Sequence, residues 1–273
     1  MKIVQKFVTS NPCFYGDGYI TPKGLMLHSV GCPQPDGQVW CNVYNKDVGA
    51  CVHAFIDGNN GTIYQILPWN HRGWHAAGSA NDTHIGVEMA ESQYISYTGG
   101  ANFTCSNVAA ARKQAQTAYN AAVELFAYLC KQYNLNPLTQ ICSHAEGNRK
   151  GIASNHADPE HYWNQLGTGL TMDGFRKAVK AKMGTSTAAQ QPAKTETKTE
   201  TKTTANTFLV RVRIPDLYIR SGAGTNYPSK GFIQPSIYTI VETKKAGGHT
   251  WGKLKSGAGW IALEYTVKIE SRK

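Results

Sequence analysis

The 273-residue chain has no run approaching the ~20 consecutive apolar residues of a membrane-spanning helix, so insertion into a bilayer is not expected. Its opening residues, MKIVQKFVTS, lack an apolar core and a small-residue cleavage site. No Sec signal peptide is therefore expected, and synthesis in a cytoplasm is. The seven cysteines form no C-x-x-C pair, are odd in number and have no structural-zinc spacing; they read as buried, reduced thiols. Acidic residues are the scarcer charge, with 18 Asp and Glu against 28 Lys and Arg, a formal +10 at pH 7. That balance suggests an anionic partner: nucleic acid, a membrane surface or a polyanionic wall. With 41% hydrophobic and 17% charged residues, the chain is neither disordered nor fibrous.

Composition divides the chain. Residues 184–206, GTSTAAQQPAKTETKTETKTTAN, hold a Lys-Thr-Glu-Thr repeat and no large apolar side chain, and read as a solvated, flexible linker between domains 1–183 and 207–273. Residues 1–183 carry 14 basic and 12 acidic residues, residues 184–273 carry 14 and 6, and eight of the nine histidines lie in the first part. Chemistry is expected in the first domain and attraction to an anionic partner in the second. Basic residues spread through a linker and a β-rich module, without a helix-turn-helix, zinc-finger or RNA-binding motif, argue against nucleic acid.

In the first domain, Leu25–Val30, Val52–Ile56, Ile63–Leu67 and Ile85–Met89 read as short buried strands. Ala111, Ala115, Ala118, Ala122, Leu125 and Leu129 recur every three or four residues, predicting one long amphipathic helix between Asn107 and Asn134, and a shorter helix is expected over Thr171–Met183. This interleaving predicts an α/β domain with helices packed on one mixed β-sheet. In the second domain, short strands at Phe208–Ile214, Leu217–Arg220, Ile237–Glu242, Trp251–Lys255 and Gly259–Ala262 are separated by turn clusters, the pattern of a small all-β barrel.

His28, at the end of the first strand, His144 and Asp158 supply two imidazoles and a carboxylate, the donor set of a zinc site with an open fourth position. No two of them form a local His-x-x-His pair, so spacing alone leaves ordinary core or surface histidines as the alternative. His71, His84 and His161 read as ordinary loop residues, and Tyr162 and Trp163 as core.

Several strings then occur in order. Asp57 to His75 contains Gly61-Thr62-Ile63-Tyr64-Gln65, Pro68 and Gly73-Trp74-His75-Ala76. It is flanked by Leu27-His28-Ser29, Ile85-Gly86-Val87-Glu88 and the final His144 … Asp158-Pro159. Over about residues 20–166 the chain resembles the type-2 N-acetylmuramoyl-L-alanine amidases, whose zinc amidase fold is shared with peptidoglycan-recognition proteins. The resemblance implies one Zn2+ held by His28, His144 and Asp158, with Glu88 beside the metal-bound water as proton acceptor. It also implies His156 as donor to the oxyanion, and Trp74, His75 and His53 as substrate contacts. The family often has a Tyr before a His after the first ligand; here the run is Cys51-Val52-His53-Ala54-Phe55. A His at 156, where many members carry Lys, implies activity that falls with rising pH.

Residues 207–269 resemble bacterial SH3-like cell-wall-binding modules through Leu217-Tyr218-Ile219-Arg220-Ser221-Gly222-Ala223-Gly224-Thr225-Asn226-Tyr227, Trp251-Gly252-Lys253-Leu254 and Gly259-Trp260-Ile261. Tyr218 and Tyr227 are the implied wall contacts. The two resemblances together imply a phage-type endolysin or autolysin that cleaves between the N-acetylmuramic acid lactyl group and L-Ala in Gram-positive peptidoglycan. Teichoic acids are a further implied contact, and release onto the wall would follow a separate holin-type pore. A peptidoglycan-binding protein with a degenerate site and a stem-peptide endopeptidase are the alternatives.

Overall fold

The computed structural model describes residues 1–16, 18–185, 207–212, 217–233 and 236–269. They divide into two units, Met1–Gln190 and Gln191–Lys273. The expected linker falls on residues outside this description, save Gly184 and Thr185, which complete the last helix of the first unit.

The first unit runs β1 (Ile3–Gln5), α1 (Cys13–Gly16), β2 (Gly24–Ser29), α2 (Gly37–Tyr44), β3 (Ala54–Ile56), β4 (Ile63–Gln65), β5 (His84–Met89), β6 (Ile95–Gly99), β7 (Asn102–Cys105), α3 (Val108–Tyr133), β8 (Ile141–Ser143), α4 (His144–Arg149), α5 (Glu160–Gln165) and α6 (Met172–Thr185). Six strands form one mixed sheet in the order β1-β4-β3-β5-β2-β8. β2 is parallel to both neighbours, while β3 and β4 are antiparallel. All six β2 residues are buried, as expected of a central parallel strand covered on both faces.

The long helix arises as its periodicity predicts. The Asn107 side chain accepts from the Ala110 N–H at its start, and Asn134 adopts the left-handed conformation (φ 54°) at its end. Its alanine and leucine face lies with Leu25, Leu27, Ile85, Val87 and Met89 in the main core cluster. Side chains alternate across a strand, so the intervening residues Met26, His28, Gly86 and Glu88 point to the opposite face. Small neighbours gather there, with Met26, Ala76, Ala80 and Cys142 in a separate cluster. The two-stranded β6–β7 ribbon stands apart from the main sheet. All seven cysteines are free; five are buried, Cys105 is half-buried and Cys32 is exposed, in contrast to the uniform burial expected.

The second unit is all-β: β9 (Phe208–Val212), β10 (Tyr218–Arg220), β11 (Ser229–Phe232), β12 (Ser236–Ala246), β13 (His249–Leu254), β14 (Trp260–Ala262) and β15 (Thr266–Ile269). The strands pair in the order β11-β10-β14-β13-β12-β9-β15 around Val210, Val212, Ile240, Trp251, Leu254 and Ile261. No pairing joins the two ends of that order among the described residues. Strand pairing thus gives an open sheet where a closed barrel was expected.

Candidate metal centre and cleft

The parallel register of β2 and β5 sets His28 opposite Glu88, on the face away from α3. On the other side of β2, Leu27 pairs with Ser143, and the next residue, His144, opens α4. Ser143 caps that helix: its hydroxyl accepts from the Glu146 N–H while the Glu146 carboxylate accepts from the Ser143 N–H. Arg176 on α6 holds Glu146 through bonds of 2.7 and 3.0 Å, so the strand-to-helix junction that aims His144 is braced from a third element. Asp158 joins from the loop before α5. Its carbonyl accepts from the Ala145 N–H at 3.2 Å and its Oδ2 from the Ser29 N–H at 3.3 Å.

His28, His144 and Asp158 are all buried and bring one ligand atom each within 4.8 Å of one another. The Nδ1 atoms of the two histidines are 3.0 Å apart, and carboxylate oxygens of Asp158 lie 3.2 Å from the His28 Nδ1 and 3.6 Å from the His144 Nδ1. A tetrahedral ion with bonds of ~2.0–2.1 Å separates its ligands by about 3.3 Å, so the spacing and the donor set both fit zinc.

A hydrogen-bond chain orients the first ligand. His75 Nε2 donates to the His84 carbonyl at 3.0 Å, leaving its Nδ1 as an acceptor; that Nδ1 lies 3.0 Å from His28 Nε2. His28 therefore carries its proton on Nε2 and turns a free Nδ1 lone pair toward His144 and Asp158. Gly86 makes room for this arrangement, because a Cβ there would run into the His75 ring. Burial, with the nearby His28, lowers the His144 pKa to about 4, so its ring is neutral as a ligand must be. Burial pushes Asp158 up, but its contacts with the His28 and His144 rings outweigh it and hold the carboxyl below its ordinary value.

The centre opens into a cleft of about 540 Å³. Glu88 lines it, and its Oε2 is buried without a hydrogen-bond partner. Burial, then the nearby Asp158 and Glu91 carboxylates, raise its pKa well above the ordinary range. His156 also lines the cleft, with its Nδ1 3.1 Å from His144 Nε2, the edge of that ring turned away from His28.

The three residues expected to contact substrate separate. His75 lines the cleft, but both of its ring nitrogens are occupied as described. His53 is fully buried: its Nε2 donates to the His71 carbonyl at 2.9 Å and its Nδ1 accepts from the Gly86 N–H at 3.0 Å. It braces the strand under the site and is not a cleft residue. Trp74 bridges to Cys51 and packs on the Cys13–Cys51–Phe55 cluster, outside the cleft lining. Tyr162 and Trp163 are core. His161 is more than a loop residue: it sits on α5 and lines the cleft with Tyr97, Gly100 and Ala101 of the β6–β7 ribbon. The Gly99-Gly100 pair between alternating segments is the sequence signal for that ribbon.

In the second unit, Tyr218 is half-buried with its ring 4.6 Å from that of Phe232 and the Arg220 guanidinium 5.0 Å from its centroid. Tyr227 is 40% exposed, and Arg220 donates to its carbonyl at 2.9 Å, fixing the turn that presents it.

A family model described as N-acetylmuramoyl-L-alanine amidase matches residues 18–161, more than half of the chain. The chain is similar to the N-acetylmuramoyl-L-alanine amidase CwlA of a Bacillus species, at 31% identity over 135 residues, which is 48% of this chain and 46% of that protein. It thus spans about half the length of this curated relative. Among solved structures it is similar in fold to the Staphylococcus aureus hydrolase AmiA in complex with its ligand. The TM-score is 0.51 and the identity 19%, with 71% of this chain and 88% of that chain covered.

Proposed function

Because the chain belongs to the N-acetylmuramoyl-L-alanine amidase family, we propose that it hydrolyses the amide between the N-acetylmuramic acid lactyl group and L-Ala of peptidoglycan, using one zinc ion held by His28, His144 and Asp158. The observation that carries this reading is the convergence of those three donors, spaced as a tetrahedral ion needs, beside a cleft-facing carboxylate with an unpartnered buried oxygen. When bound, zinc supplies Lewis acidity that polarises a carbonyl and lowers the pKa of a water toward ~7.

Glu88 takes a proton from water at its free Oε2 and returns it to the departing amine. His28 and His75 act together, the second holding the first in the ligand tautomer. His156, at the cleft wall, donates to the oxygen that gains charge as the carbonyl is attacked. The all-β unit is an SH3-like wall-binding module. Tyr227 and Tyr218 contact the wall, and the excess basic charge of the chain's C-terminal part favours anionic wall polymers such as teichoic acids. Tethering raises the enzyme's concentration on its insoluble substrate. The role is that of a lytic enzyme, phage endolysin or autolysin, acting on Gram-positive walls.

Digestion of purified Gram-positive peptidoglycan by the wild type and by His28→Ala, with mass spectrometry of the products, tests the reading. Stem peptides beginning with L-Ala and glycan strands with bare lactyl groups, absent with the variant, are expected. Cuts elsewhere in the stem peptide would identify an endopeptidase, and wall binding without cleavage by zinc-loaded protein a binding protein.

A further inference from the structure

The β6–β7 ribbon forms one wall of the cleft through Tyr97, Gly100 and Ala101, yet it is not part of the main sheet. A lone two-stranded ribbon has little stability of its own. At its turn, Gly99 and Gly100 (φ 54°) have no atom within 4 Å of where a Cβ would stand. The position of this wall therefore depends on its anchors.

The principal anchor is Glu91, fully buried just after β5. Its Oε1 accepts the Ser29 hydroxyl at 2.6 Å, its Oε2 accepts the Tyr97 hydroxyl at 2.7 Å, and the Gly31 N–H also bonds to it. Ser29, Gly31 and Tyr97 all line the cleft, whereas Glu91 stands behind them. The Tyr97 hydroxyl, having given its proton to Glu91, accepts from His161 Nε2 at 2.8 Å. On the same helix as His161, Gln165 holds the ribbon at its turn and just beyond it, donating to the Ala101 carbonyl at 2.6 Å and accepting from the Phe103 N–H at 3.0 Å. One carboxylate thus joins the loop after β2, the ribbon and, through Tyr97, α5.

We propose that Glu91 and Tyr97 are positioning residues for the substrate-binding wall: Glu91, from behind the cleft, fixes the ribbon against the β2 loop, and so governs how tightly the muramoyl-peptide is held without taking part in bond cleavage. The inference rests on the amidase reading for its substrate. A wall that holds the substrate equally in ground and transition states adds the same binding to both, so its loss appears in KM.

The test uses the full chain with Tyr97→Phe and Glu91→Gln, assayed on a soluble disaccharide-tetrapeptide muropeptide, with amide hydrogen exchange over Ile95–Cys105 measured in parallel. Loss of a buried hydrogen bond to Glu91 is expected to raise KM about tenfold in each variant. In Tyr97→Phe, kcat stays within about twofold and zinc affinity is unchanged. Ribbon amides exchange about tenfold faster in both variants, and the double variant is no worse than Glu91→Gln alone, because both changes break one connection. Tyr97→Phe, which keeps the ring, decides the matter even if Glu91→Gln folds poorly. Unchanged ribbon exchange, an effect on kcat with KM preserved, or additive single effects would overturn the proposal. If the wild type leaves the muropeptide intact, the amidase reading fails, and hydrogen exchange alone then decides whether Glu91 and Tyr97 hold the ribbon.

Discussion

The hydrogen bond from His28 to His75 yields a prediction that separates two roles for His75. The perturbation is His75→Leu, compared with His75→Asn, two side chains of nearly equal shape that differ in whether an acceptor faces His28 Nε2. His28 is 1% exposed, so in the leucine variant its Nε2–H has no water to replace the lost partner. Leaving a buried donor unpaired costs about 1–3 kcal/mol, and in a unit of this size about 2 kcal/mol lowers Tm by about 4–8 °C. The imidazole also loses the bond that keeps its proton off Nδ1, the ligand atom. Removing a partner that orients a metal ligand weakens metal binding by about 10–100-fold. The assay is zinc affinity by chelator competition at pH 7.5, with thermal unfolding of the metal-free protein. Zinc binding should fall about 10–100-fold in His75→Leu and recover most of the way in His75→Asn. Equal losses in the two variants would place the effect in packing of the ring. Unchanged zinc affinity with a raised KM would make His75 a substrate contact and refute the reasoning.

Acid should unfold the metal-free protein. Burial lowers His53, His71 and His84 to about 4, and lowers His75 and His144 as well, so between pH 6.5 and 4 the unfolded chain takes up protons that the folded chain refuses. For the fully buried His53 this is about 3 kcal/mol of stability, present above pH 6.5 and lost toward pH 4. Glu91, raised by burial to about 7, and Glu88 oppose it, since the folded protein takes up protons there first. Burial also lowers His161 and raises Glu160, so six histidines stand against three carboxyls and urea midpoints should fall from pH 6.5 to 4; a flat or rising profile would contradict this balance. Gly86→Ala should reproduce the zinc-binding loss of His75→Leu, because its Cβ displaces the His75 ring, and should destabilise the fold by about 1–3 kcal/mol. A variant with native Tm and zinc affinity would show that the ring has room to move.

The features legible in the sequence are those produced by short-range physics. The alanine-leucine face of α3 and its asparagine ends declare the helix within one stretch of chain, and the continuous apolar run at β2 declares a strand covered on both faces. The roles of His28, His144, Asp158 and Glu88 follow not from local physics but from the ordered strings that carry the amidase resemblance. Composition alone sets residues 184–206 apart, through their shift to threonine, lysine and glutamate.

Tertiary structure decided the rest, because hydrogen bonds and register join residues distant in sequence. Nothing local to Trp74-His75 reveals that the histidine faces His28 and the indole packs on Cys51 and Phe55. His53 has no local mark of its two backbone partners, which turn it from a candidate contact into a brace. Glu91 lies three residues beyond Glu88, and only the fold shows the first carboxylate tied behind the wall and the second left open to the cleft. The β2–β5 register sets His28 beside Glu88, and a one-residue slip would have put the two on opposite faces.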